Sequence, residues 1–192
     1  MKIHPMFVSD FSDDIFVFVL DYYTATRKPD RYNEDGSPHW NSPTYTEMGQ
    51  AIHDYQNGFI TSFEVIVETV VDYCRGKAEF MTITHITNPP SDGEGGSFPL
   101  IVREIAKRLG KNYIDIFSKT GFYNTRRKSE NEKRLLASTI TCFGELPHEC
   151  RLLIIDDVID TGATLAGCKQ ALMRKKAHCS ELVLMALAQT RR

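Results

Sequence analysis

The sequence predicts an α/β chain, a mostly parallel twisted sheet flanked by helices on both faces. Three observations carry this. Short apolar runs rich in β-branched residues alternate with stretches whose apolar residues recur at i, i+3, i+4 and i+7, the strand-helix-strand order that builds a parallel sheet by right-handed crossovers. The most apolar run, Leu152 to Ile155, shows no in-out alternation, as expected of a strand covered on both faces. The 192 residues, 42% hydrophobic and 25% charged, suffice for one substantial core without staples. We read residues 1–192 as one domain, with 1–60 an N-terminal elaboration and 61–192 the core.

Ile15 to Tyr23 (IFVFVLDYY) reads as the first strand, and the Pro- and Gly-dotted segment Thr24 to Pro43 as a long excursion. From Tyr45 the pattern turns helical, with Met48, Ile52 and Tyr55 in phase and Asn57-Gly58 as the stop. Thr61-x-x-Glu64 has the form of a capping box. After it, Phe63, Ile66, Val67, Val70, Val71 and Cys74 make one apolar helix face that Gly76 ends. Glu79 to Ile86 alternates like a strand, and Thr87 to Ser97 is its loop. Phe98, Ile101, Val102, Ile105 and Leu109 form the next helix, with Pro99 in its first turn and Gly110 past its end. Asn112 to Phe117 reads as a strand, Ser118 to Arg134 as a strongly charged connection, Thr139 to Phe143 as a short strand, and Glu181 to Ala188 as the last strand.

Charge and composition exclude several classes. A net charge of -2 gives no electrostatic case for nucleic acid. The apolar run Ile15 to Leu20 is far shorter than the ~20 residues of a membrane helix, and MKIHPMFVSDFSDD lacks the apolar segment of a signal peptide. A cytoplasmic protein with no membrane partner is expected. The five cysteines are scattered and contain no C-x-x-C pair, so they read as reduced and mostly buried.

The informative stretch is Arg151 to Leu165, RLLIIDDVIDTGATL. An apolar strand is followed by Asp156 and Asp157, then by the small-residue turn Asp160, Thr161, Gly162, Ala163 and Thr164, then by Leu165, Cys168, Leu172 and Met173 at helical spacing. A helix that begins at such a turn offers unsatisfied N–H donors and a partial positive charge, which suits a phosphate. The threonine hydroxyls add donors, and glycine permits close backbone approach. Carboxylates just upstream are placed to accept hydrogen bonds from sugar hydroxyls or to hold a divalent cation. A sugar phosphate satisfies both demands. No Gly-Lys-Ser or Gly-Lys-Thr occurs for a Walker loop, and Gly93, Gly95 and Gly96 lack the dinucleotide spacing. In open parallel sheets ligands bind at the carboxyl ends of the strands, so the loops Thr87 to Ser97, Ser118 to Arg134 and Asp156 to Thr164 should converge.

On these residues the chain resembles the type I phosphoribosyltransferases, and Thr46 to Gly58, Arg126 to Arg134 and the closing VLMALAQTRR are similar to the ComF group. The resemblance implies that family's fold with a small N-terminal hood. It implies that Asp160, Thr161, Gly162, Ala163 and Thr164 hold the 5-phosphate of phosphoribosyl pyrophosphate, while Asp156 and Asp157 read the ribose hydroxyls and contact Mg2+ largely through the ligand. Asn88, Pro89, Pro90 and Ser91 then lie in the pyrophosphate loop, which here carries Asp92 and Glu94 in place of cations. Lys119, Arg126 and Arg127 meet the pyrophosphate from the charged connection, a run that as residues alone reads equally as a solvated face. Asp160 serves either as a base toward the acceptor's ring proton or as a helix cap. Tyr22, Tyr23, Trp40 and Tyr45 are hood candidates. The expected small-molecule partners are phosphoribosyl pyrophosphate and a base or nucleotide; a homodimer or a protein partner stays open. So do three activities: transfer to a base, controlled cleavage of a nucleotide, and a non-catalytic module that senses the same ligand.

Overall fold

The structure, a computed structural model, describes residues 16–25, 31–32, 34–35, 37–39, 44–91, 97–120, 129, 132, 135 and 138–190. Among these the strands are β1 (Val17–Tyr22), β2 (Arg31–Tyr32), β3 (Pro38–His39), β4 (His85–Thr87), β5 (Asn112–Tyr113), β6 (Phe117–Lys119), β7 (Ile140–Cys142), β8 (Cys150–Ile159) and β9 (Cys179–Gln189). The helices are α1 (Glu47–Gln56), α2 (Thr61–Arg75), α3 (Ala78–Met81), α4 (Phe98–Leu109) and α5 (Ala163–Arg174). None is long and apolar enough to cross a membrane.

Five strands form one sheet in the order β1-β9-β8-β4-β5, every neighbouring pair parallel. Strand β8 sits at its centre, with Leu152, Leu153, Ile154 and Ile155 fully buried. Because side chains alternate across a strand, Leu153 and Ile155 enter the core under α1, α2, α3 and α4. Leu152 and Ile154 enter a second core, with Leu165, Cys168, Ala171 and Leu172 of α5 and with Phe117 and Ile140 of the antiparallel pair β6–β7. The predicted α/β class is what the structure shows, with helices on both faces.

Three element expectations need correction. The capping box does not form: Ile60 holds the N-cap position of α2 without a side-chain bond, and Glu64 is taken by Arg108 of α4 in a two-pronged pair at 2.7 and 2.9 Å. A paired guanidinium outcompetes a single backbone N–H for that carboxylate. Glu79 to Ile86 is the single turn α3 followed by only three strand residues. Its buried apolar residues, Phe80, Ile83 and Ile86, fall three apart, so the period that matters is a turn's. Asn112 to Phe117 is also split. Main-sheet bonding stops when Ile114 N–H donates to the Ile86 carbonyl (3.0 Å), and Phe117 then starts β6, which pairs with β7 off the sheet.

Helix α1 is seated tightly on the end of β1. Thr46 is its N-cap; the hydroxyl accepts from Gly49 N–H at 3.0 Å and donates to the Tyr22 carbonyl. Met48 and Ile52 point into the core, and Tyr55 donates to the Ser97 carbonyl at the start of α4 (3.0 Å).

Candidate functional site

The chain order places a switch between β4 and β8. From β4 the chain crosses by α4 to β5 on one side, and from β8 it crosses by α5, on the other face, to β9 on the opposite side. The crevice outside the carboxyl ends of such a strand pair is where doubly wound sheets take ligands. Two of the three predicted loops open here, 88–91 after β4 and 160–162 after β8.

Asp156 and Asp157 lie inside β8, which runs on to Ile159, and not past the strand's end as the sequence suggested. Pairing with β4 stops at Thr87 opposite Ile154, whereas pairing with β9 continues to Ile159 opposite Gln189. The acidic pair therefore projects beyond β4, alongside the loop that begins with Asn88. Being adjacent in a strand, the two carboxylates point to opposite faces. Asp157 is on the α1 side, where Gln56 Nε2 donates to its Oδ2 at 2.8 Å and Val158 N–H to its Oδ1 at 2.7 Å. Asp156 is on the α5 side and accepts from Asp157 N–H at 3.0 Å.

The surroundings of Asp156 are unusual for a carboxylate. Burial, and next the like charge of Asp157, hold it well above the usual carboxylate range, and Lys119 opposes them only partly. Cys168, buried beneath it, is raised by burial and then by Asp156 itself. Lys119, of β6, thus lies within electrostatic reach of Asp156; Arg126 and Arg127 lie outside the described residues, with Asp92, Glu94 and Trp40. An Asp156 pKa raised in the folded state means that the native protein holds the proton longer than the unfolded chain does. Its contribution to stability falls as pH climbs from about 4, the unfolded value, through the folded value. Asp156→Asn should accordingly unfold at higher urea near neutral pH than the parent, and this gain should vanish below about pH 4; a gain unchanged at acid pH would contradict it.

The small-residue turn is built as a helix start. Gly162 is the N-cap of α5, left-handed at φ 71°, ψ 5°, a conformation that disfavours a β-carbon. Ala163 N–H donates to Thr161 Oγ1 at 3.3 Å, which leaves the following N–H groups at a helix N-terminus. Ala163 and Thr164 are partly exposed. Asp160 is not the cap; its Oδ1 accepts from the Thr190 hydroxyl, just past β9, at 2.9 Å.

In the first loop, Asn88 and Pro89 are buried, Pro90 half-buried and Ser91 exposed. The Asn88 side chain donates to the Pro89 carbonyl (2.7 Å) and accepts from Tyr113 OH of β5 (2.9 Å). Asn88 therefore shapes the loop, and of its described residues 88–91 Pro90 and Ser91 are the ones that face outward. Of the hood candidates, Tyr23 meets Tyr45 edge-on, ring centroids 5.2 Å apart, and Tyr45 stacks on His53 of α1 at 4.6 Å. Gln56 and His53 were missed by sequence reading. Gln56 lies 101 positions from the carboxylate it touches, and no local pattern marks such a partner.

No protein-family model and no curated protein matches this chain. Among solved structures, it is similar to adenine phosphoribosyltransferase from Leishmania tarentolae, at 16% identity over 82% of each chain with a TM-score of 0.44. The same enzyme from Trypanosoma brucei, crystallised with AMP, pyrophosphate and ribose-5-phosphate, gives 20% identity over 83% of this chain and 74% of that one, TM-score 0.44. Orotate phosphoribosyltransferase from Aeropyrum pernix gives 16% over 83% and 72%, also at 0.44.

Proposed function

We propose that this chain is a magnesium-dependent phosphoribosyltransferase of the type I fold, akin to the ComF group, which moves a phosphoribosyl group from phosphoribosyl pyrophosphate to a nitrogenous base. The observation that supports it most is the coincidence, at one switch point, of a glycine-started helix N-terminus with two carboxylates projecting past the neighbouring strand. The turn Asp160 to Thr164 offers donors to the 5-phosphate. Asp157, oriented by Gln56, accepts from the ribose hydroxyls on the α1 side, and Asp156 closes the other side. Breaking the C1–pyrophosphate bond builds positive charge on the ribose and negative charge on the leaving group, so placed charge does most of the work. Pro90, Ser91 and Lys119 face that leaving group, with Arg126 and Arg127 added from the charged connection. Asp160, a hydrogen-bonded carboxylate at the end of β8, is suited to accept a ring proton from the incoming base.

Among the described residues no group of three or more His, Cys, Asp or Glu gathers to hold a metal, and Asp156 and Asp157 face apart. Such residues fit an ion that arrives on the substrate's own oxygens, with Asp157 as its protein partner. When bound, the ion offsets charge on the departing pyrophosphate.

Isothermal titration of the pure protein with phosphoribosyl pyrophosphate and magnesium, followed by a pyrophosphate-release assay across a panel of bases, tests the reading. Saturable binding with release for at least one base is expected. Binding without release for any base would favour instead a sensing module acting through a partner, a reading that the acidic loop containing Asp92 and Glu94 supports. Absence of binding overturns both.

A further inference from the structure

Four of the five cysteines lie on the α5 face of the sheet, and two of them face each other across neighbouring strands. Cys150 opens β8 and is directly opposite Cys179, which opens β9. Residues opposite one another on paired strands stand about 4.8 Å apart, inside the Cα separation a disulfide spans. Both side chains enter the same core, and in the reduced state the Cys179 thiol donates to the Glu181 carbonyl at 2.7 Å. The register breaks at this pair: Arg151 is opposite Glu181, so Ser180 is an extra residue, and its hydroxyl bonds the Cys150 carbonyl at 3.1 Å. A bulge there loosens the ladder and gives the cysteines room to adjust.

We propose that Cys150 and Cys179 form a reversible disulfide, a redox-modified site at the end of the sheet opposite the candidate ligand site. Their exposures assign the order of events. Cys150 is fully buried, and burial pushes its thiol up to about 12, so it stays protonated and out of reach. Cys179 is partly exposed and meets the oxidant, a hydroperoxide. Its thiolate attacks a peroxide oxygen; the O–O bond breaks, an S–O bond forms, and hydroxide leaves with a proton as water. The Cys150 sulfur then attacks the resulting sulfenic acid, an S–S bond forms, the S–O bond breaks, and the Cys150 proton departs with the hydroxide as a second water. The two thiols lose two electrons in all, and the peroxide gains them. The closed loop contains Asp156 to Thr164 and the whole of α5, so oxidation staples the segment that carries the phosphate turn.

The test uses the full chain, reduced and then exposed to stoichiometric hydrogen peroxide. The expected product is a monomer lighter by two hydrogens, in which a tryptic peptide containing Cys150 is joined to one containing Cys179. Because Cys142 shares the Cys150 peptide, the map is repeated in Cys142→Ser. The thermal midpoint should rise by roughly 5–10 °C on oxidation and return on reduction, a shift that Cys179→Ser abolishes. Stable sulfinic acid at Cys179, a Cys142–Cys168 bridge in its place, or no change in midpoint would each overturn the proposal. None of these readouts depends on phosphoribosyl pyrophosphate, so the redox site and the ligand site stand or fall separately.

Discussion

Gly49→Ala should lower the thermal midpoint by several degrees, up to roughly 8 °C, although alanine is the better helix former. A β-carbon at position 49 would run into the Tyr23 carbonyl oxygen and lie 2.7 Å from the carbonyl carbon, with Thr46 Oγ1 at 3.1 Å. The obstacle is backbone at the end of β1, which cannot rotate away as a side chain can, so the helix itself must lift. Helix propensity returns at most ~1 kcal/mol for Gly to Ala, whereas forcing extra volume against fixed neighbours costs typically 1–3 kcal/mol or more. For a chain of this size each kcal/mol moves the midpoint about 2–4 °C. Lifting α1 also withdraws Gln56 from Asp157, so the variant should bind phosphoribosyl pyrophosphate more weakly even at temperatures where it stays folded. Calorimetry and titration on one preparation check both effects. An unchanged midpoint would mean that α1 does not approach β1 as closely as described.

The same helix shows what a sequence can and cannot disclose. Met48, Ile52, Tyr55 and Asn57-Gly58 announce α1 because apolar phase and a stop signal are local properties, and the helix lies where they put it, with a Thr46 cap that the structure adds. The strand Leu152 to Ile155 is equally legible, since an unbroken apolar run can only be covered on both faces. What local pattern does not carry is pairing. Asn112 to Phe117 reads as one strand in sequence, but its first residues bond β4 and its last bonds β7, a division decided by distant strands. Likewise the alternation read into Glu79 to Ile86 yields to a three-residue spacing visible only once Phe80 is seen against Phe18, with centroids 5.0 Å apart. At the candidate site, the glycine turn and the acidic pair were legible as residue types. Their opposed directions follow only from β8 continuing to Ile159, and its partner there is Gln189, 30 positions later.

That opposition sets the last expected result. If Asp157 reads the ribose and Gln56 acts only by holding that carboxylate, the two substitutions must not add. Asp157→Asn removes a charged acceptor and should weaken binding of phosphoribosyl pyrophosphate by about 10–100-fold, the loss of a hydrogen bond to a charged group. Gln56→Leu removes one donor at 2.8 Å from Oδ2 while leaving the Val158 N–H bond to Oδ1, so a loss of roughly 2–10-fold is expected. In the Asp157→Asn background the oriented carboxylate is gone, and Gln56→Leu should then change binding by less than about twofold. Residues in one hydrogen-bond network couple in this way, whereas independent sites give equal effects in both backgrounds. Equal losses would place Gln56 on the ligand itself, and a full loss from Gln56→Leu alone would move the centre of the site from β8 to α1.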